Sequence, residues 1–257
     1  MRREFQGRAI VLNALAYGDS DLIVSFMTEE LGVVRGLAKG GRASRKRFAG
    51  CFEPFTSINL GCRMKDSASL AGITSADIVN SHLKIRDSLD RINAGARMLE
   101  LAGTVEVHGA EAATAFGLLD KSLEILETST DPAALSGIFF VKWLDIAGYK
   151  LPHETCGQCG GPFETPGGTG GGAPGGKPGG PGGAYYRGGY SLVCGKCAGG
   201  RDTRPVSAGT LAFISRAETL ETGSISRLRL SEGGEKELFG LLGPYIASIA
   251  GRSLKTL

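Results

Sequence analysis

The chain has 257 residues, a formal net charge of +3, 42% hydrophobic and 21% charged residues. That suffices for the core of one large or two modest domains and argues against wholesale disorder. No apolar stretch approaches the ~18 residues of a membrane span, and the short apolar run in "MRREFQGRAIVL" does not read as a secretory signal. The expectation is a cytoplasmic protein whose six cysteines stay reduced and serve as metal ligands or core thiols.

The first third reads as short strands. "AIVLNAL" (9–15), "LIVSFMT" (22–28) and "GVVRGLA" (32–38) are β-branched and aliphatic, and the turn signals "YGDSD" and "EELG" separate them. "FEPFTSINLG" (52–61) and "SLAGITSADIV" (69–79) add two more. Five strands in about 75 residues fit an OB-type barrel over residues 1–80, although an SH3-like barrel or a small sandwich shows a similar pattern. Between the third and fourth strands lies "AKGGRASRKRF" (38–48), with Lys39, Arg42, Arg45, Lys46 and Arg47 and no acid; Arg35 stands just upstream. Residues 1–65 carry eleven Lys/Arg against six Asp/Glu, and the remainder eighteen against twenty. The positive charge is therefore concentrated at one end, which points to a polyanionic partner. Glycines 40 and 41 let backbone approach phosphates, and arginine suits phosphate forks and base stacking. Neutralising about five phosphates of a single strand predicts a log–log salt slope near −3.5, with little sequence preference. Phe48, Phe52 and Phe55 lie close by and read as core residues, with base stacking as the alternative.

From residue 83 the apolar period becomes helical. Ile85, Leu89, Ile92, Ala96 and Leu99 mark one face, and Phe116, Leu119, Leu123 and Leu126 a second. In 131–152 Asp131 reads as the N-cap, Pro132 as the first helical residue, and Gly148 and Pro152 as the stop. "IFFVKWL" within it is apolar nearly all round, so this helix is expected at the centre. Two more helices are expected near 207–220 and 234–250. The fold class is thus α+β, with a helical domain over 81–257 that is interrupted once, at 153–204. Inside that interruption, 165–183 holds eleven Gly and four Pro in nineteen residues and reads as a passive Gly/Pro-rich insertion.

"CGQCG" (156–160) and "CGKCA" (194–198) are paired C-x2-C knuckles. Cys156, Cys159, Cys194 and Cys197 make the soft tetrahedral set that suits one structural Zn2+, with no position left for water or substrate. The gap of 34 residues between the knuckles exceeds the about 15–20 of ordinary ribbons. Doubling a loop costs only ~0.6 kcal/mol, far below the ~10 kcal/mol of zinc binding. Cys51 and Cys62 lack such spacing and read as core thiols. No H-E-x-x-H, P-loop or G-x-S-x-G pattern marks a catalytic site, and the three histidines, His82, His108 and His153, belong to no such motif. Three classes remain open on the residues alone: a non-enzymatic nucleic-acid binder, an RNA-binding accessory or enzyme with an unrecognised site, and a protein-binding adaptor.

The order of "YGDSD", "TEELG", "AKGGR" and "EPF" within residues 7–60, followed by helices and the paired C-x2-C module, resembles RecO, the bacterial recombination mediator family. The resemblance implies an OB domain, a helical domain with a zinc module, and no catalytic residues. It implies action in RecFOR gap repair of DNA damage: with RecR, loading RecA onto single strands coated by single-strand-binding protein, and annealing complementary strands. It makes Lys39, Arg42, Arg45, Lys46 and Arg47 the contacts to single-stranded and duplex DNA, Arg35 a lesser one, and the four cysteines the zinc ligands. It also implies a basic-rimmed apolar pocket for the tail of single-strand-binding protein. That pocket is not located by sequence; Lys142 is one candidate charge for it. The wide spacing of the knuckles departs from the family pattern.

Overall fold

The computed structural model describes residues 3–42, 44, 47–64, 70–163, 183–187, 191–199, 203–221 and 228–257. Five strands close a barrel: β1 (Arg3–Tyr17), β2 (Asp21–Thr28), β3 (Gly32–Ala38), β4 (Ser57–Met64) and β5 (Ala71–Asn80). Their order is β1-β2-β3-β5-β4, antiparallel except for a short parallel seam where Gly36 faces Ala71 and Leu37 faces Gly72. This is the OB-type arrangement, and it sets aside the other small β architectures. β1 is long enough to pair with β4 along its first half and with β2 along its second, with a bulge between Val11 and Asn13. A bulge bends the strand locally, as closure requires.

Alternation divides the strand residues between two cores. Val24, Phe26, Ala38, Ile58, Leu60 and Ile73 fill the barrel. Ile10, Leu12, Met27 and Val33 instead join the helical core with Met98, Leu101 and Phe116. The barrel and helices therefore share one continuous apolar seam. Gly32 sits on it at φ +72, and a Cβ there would meet the Val107 carbonyl oxygen at 2.0 Å. Only glycine satisfies both that angle and that approach.

The helices are α1 (Leu89–Thr104), α2 (Ala112–Leu126), α3 (Pro132–Ile146), α4 (Ala208–Thr219) and α5 (Glu232–Ala250). α3 is central, as its composition predicts: its buried residues include Leu135, Ile138, Phe139, Phe140, Val141, Trp143 and Leu144. Asp131 caps it by accepting from the Ala134 N–H, and Gly148 leaves it at φ +80. The Trp143 indole donates to the Val105 carbonyl at 2.9 Å, so the largest core side chain carries no unmet polar group. Ser207 and Ser231 cap α4 and α5 in the same way.

Three sequence readings need correction. The fourth strand begins at Ser57, not at 52: Phe55 is in the left-handed region at φ 73, and residues 51–55 are turns that bury Phe52 in the barrel and Phe55 against the helices. The helical stretch from 83 is two pieces, a 3-10 turn (Leu83–Asp87) and α1, separated by an extended Ser88 at φ −141. That break resets the helical phase, so Leu89 is 71% exposed and the buried face of α1 runs through Ala94, Met98, Leu101 and Ala102 instead. Between α3 and α4 lies a three-stranded sheet that periodicity does not reveal: β6 (Ala184–Arg187) between β7 (Ser191–Cys194) and β8 (Thr203–Val206). Four-residue strands are too short to declare a period. The Gly/Pro-rich run, apart from Gly183, lies outside the described residues.

Candidate nucleic-acid interface and metal centre

The basic loop leaves β3 at the end of the barrel where β1 turns into β2. The two turns are stitched together: Asp21 Oδ1 accepts from the Gly40 N–H at 2.7 Å, and the Arg42 N–H donates to the Ser20 carbonyl at 2.9 Å. Gly40 permits this at φ +65. Lys39 and Arg42 are exposed, and neither side chain has a hydrogen bond or ion pair with a described residue. Arg35 and Arg47 differ. Arg35 pairs with Glu106, a residue of the segment that follows α1. Arg47 donates to the Thr74 carbonyl at 2.9 Å, with the Ile73 carbonyl at 3.5 Å, and its guanidinium lies 4.7 Å from the centre of the Phe48 ring. It covers main-chain acceptors of β5 beyond the seam with β3. Arg45 and Lys46 lie outside the described residues. Phe48 and Phe52 stack with centroids 5.0 Å apart and are buried, which removes them as platforms for a base.

The four cysteines converge. The sulfurs of Cys156, Cys159, Cys194 and Cys197 lie within 4.8 Å of one another. The first knuckle closes through the Gly160 N–H to the Cys156 carbonyl at 2.8 Å, and the second through the Cys197 N–H to the Cys194 carbonyl at 2.9 Å. β7 carries Cys194 directly, so the sheet missed by sequence reading is what holds the second pair against the first. The Cys194 N–H donates to Cys156 Sγ at 3.3 Å. Burial pushes the Cys156 thiol up, but N–H donors from Cys194, Cys159 and Gln158 outweigh it and bring the pKa down to about 6. Cys197, hydrogen-bonded to the Cys194 sulfur and desolvated, is pushed up to about 12. Sulfur atoms packed this closely compete for protons, and a metal ion that replaces those protons resolves the competition. The donor set fits a metal held by four thiolates. Cys51 and Cys62 are buried core thiols, their pKa values raised by burial.

The family models for "Recombination protein O N terminal" and "Recombination protein O C terminal" match residues 1–82 and 86–257. The chain belongs to the RecO family. It is similar to the DNA repair protein RecO of Syntrophus aciditrophicus, at 28% identity over 100% of this chain and 95% of that one. The RecO proteins of Anaeromyxobacter dehalogenans (strain 2CP-C) and Geobacter sulfurreducens are 32% and 31% identical, over 96% and 93% of this chain and 85% and 91% of theirs.

Ser57, His82 and Glu127 lie in the order of a catalytic relay where the barrel meets α2. Ser57 Oγ lies 3.5 Å from His82 Nε2, and His82 Nδ1 lies 3.3 Å from Glu127 Oε2. Ser57 and His82 are 2% and 1% exposed, so no substrate reaches the hydroxyl. Ser57 instead donates to Asp120 at 3.2 Å, and Asp120 takes Arg8 at 2.8 Å. The network ties β1, β4 and the barrel exit to α2. A cavity of about 310 Å³ lies where α1, α3 and α5 begin, but its Arg97 is paired with Glu235 at 2.9 Å and its Asp131 caps α3. Lys142 sits at the seam of α3 and α4, donating to the Glu218 carbonyl at 3.3 Å; burial lowers its pKa. Among the described helices none is long and apolar enough to cross a membrane.

Proposed function

We propose that this protein is a non-enzymatic DNA-repair mediator that binds single strands through the loop at the open end of its barrel. The observation that carries the reading is the pair Lys39 and Arg42, exposed and in no ion pair with a described residue, on a loop fixed to the β1–β2 turn. Arg45 and Lys46 extend the same charge run; Arg35 and Arg47, already engaged with protein groups, contribute secondarily. A basic surface of this kind gathers two polyanions and screens their repulsion, and phosphate contacts leave base edges free to pair. Annealing then follows without any bond being made or broken by the protein.

The metal in this reading is one Zn2+, structural because four thiolates close its coordination. The family supplies the rest of the proposal: cooperation with RecR, recruitment by the acidic tail of single-strand-binding protein, with Lys142 a candidate charge for it, loading of RecA onto gaps, and residence in the cytoplasm at the nucleoid. The division at residues 80–81 would mark the barrel as the DNA-binding unit. The direct test is the annealing rate of complementary oligonucleotides, followed by fluorescence transfer. The reading predicts acceleration that is lost when Lys39 and Arg42 are both changed to Glu. No acceleration by the wild-type protein would overturn it.

A further inference from the structure

With Phe48, Phe52 and Phe55 all buried, the aromatic residue left exposed on the barrel's described surface is Tyr17, at 55%. Its setting follows from strand register. Ile10, Met27 and Val33 stand opposite one another on the outer barrel face and are covered by the helices. Counting along the same face past the bulge gives the row Asn13, Ser25 and Arg35, and then the row Leu15, Ile23 and Leu37. Tyr17 opposite Asp21 ends it. This face therefore continues the interdomain core outward, beyond the helices that cover its first row. Leu15 is 58% exposed, and Ile23 and Leu37 are half-buried.

An apolar sheet face of this kind, left open, is a contact surface for a partner. Two cations stand at its outer rim, Lys39, immediately after β3, and Arg42, bonded to the β1–β2 turn; Arg35 on the inner side is paired with Glu106, and Asp21, opposite Tyr17, accepts from the Gly40 N–H. Apolar surface beside cations that pair with no described residue, Lys39 and Arg42, matches the two halves of a nucleotide, a planar base and its phosphate. We infer that Tyr17, with Leu15, Ile23 and Leu37, forms a stacking platform for unpaired nucleobases, while Lys39 and Arg42 hold the flanking phosphates. This rests on the single-strand reading above and adds a second kind of contact to it. Phosphate contacts alone bind duplex and single strand alike; a base platform makes the surface prefer strands whose bases are free. Stacking is indifferent to base identity, so the preference brings no sequence code.

The test compares fluorescein-labelled oligothymidylate with an abasic deoxyribose-phosphate oligomer of equal length, by anisotropy over a range of salt. The wild-type protein is expected to bind the thymidylate about tenfold more tightly than the abasic chain, the scale of one base stacked on an aromatic ring. Tyr17→Ala should lose most of that preference with an unchanged salt slope, and Tyr17→Phe should retain it. Lys39→Glu with Arg42→Glu should weaken both polymers and flatten both slopes. The inference is overturned if wild-type protein binds both polymers equally, or if Tyr17→Ala keeps the full preference. It is also overturned if Tyr17→Ala spares both polymers but abolishes binding of a fluorescent peptide of alternating aspartate and leucine, which would make the face a peptide site. If neither polymer binds the wild-type protein, the single-strand reading fails, and the platform with it.

Discussion

The cysteine cluster and the basic loop are built on opposite plans. In the cluster four side chains from two distant segments converge within 4.8 Å, and the sheet β6–β8 exists to hold them there. In the loop, Lys39 and Arg42 are exposed with no side-chain partner among the described residues, while the backbone is fixed at Gly40 by Asp21 and at Arg42 by Ser20. Convergent groups hold the fold together when their ligand or partner is present. Divergent groups leave the fold indifferent and act on something outside it. The difference can be tested by substitution, because the first kind should cost stability and the second should cost binding.

The largest loss should come from the cluster. Cys156→Ser or Cys197→Ser should remove bound metal, measured by mass spectrometry of metal content, and lower the unfolding midpoint, since four-thiolate binding contributes on the order of 10 kcal/mol to folding. Retention of metal and midpoint by either variant would break the comparison. Next is the seam between barrel and helices. Gly32→Val introduces a Cβ against the Val107 carbonyl at an unfavourable φ. Denaturant unfolding should register a loss of about 3 kcal/mol, the range of strained backbone and overpacking together.

A smaller convergent case is Glu100, whose carboxylate accepts from the Lys255 N–H at 2.8 Å, the Thr256 N–H at 2.9 Å and the Thr256 hydroxyl at 2.6 Å. Burial pushes its pKa up, but these donors, with Arg252 nearby, outweigh it and hold the pKa below the ordinary carboxylate value. Its contribution is therefore present above the unfolded carboxylate pKa of about 4.3 and is lost as pH falls through the lower folded value. Glu100→Gln should cost about 1–2 kcal/mol at neutral pH, the scale for hydrogen bonds to a charged group, and the difference from wild type should shrink in acid. An equal difference at pH 7 and pH 2 would contradict this. Smallest in stability, the double change of Lys39 and Arg42 to Glu should shift unfolding by no more than about 0.5 kcal/mol. A large destabilisation would mean that the loop belongs to the fold after all.

The same contrast explains what could be read from sequence. Convergence leaves a record in spacing: two C-x2-C pairs declare a tetrahedral site, and Asp131–Pro132 declares a helix start, because each geometry demands those residues at those intervals. "IFFVKWL" declares a central helix because no face of it can be left wet. Where geometry depends on a distant partner the record is absent. Nothing local to "RDSLDR" reveals that Ser88 breaks the helix and turns Leu89 outward. Phe55 in a left-handed turn follows from its burial against α1 and α2, not from its neighbours. Divergent function leaves only composition. The charge run marks the loop, but which of its cations are spent inside the protein emerges only when Arg35 meets Glu106 and Arg47 meets the β5 carbonyls. Tyr17 was invisible for the same reason: its exposure depends on strand register and on where the helical cover ends.

The most direct measurement is the salt dependence of single-strand affinity, by anisotropy with a labelled oligonucleotide between low and physiological salt. With Arg47 held on β5, the proposed cationic loop predicts a log–log slope of about −2.8 for about four neutralised phosphates, made shallower by at least one unit when Lys39 and Arg42 become Glu. A wild-type affinity that does not change with salt, or a slope untouched by that double substitution, would contradict the account.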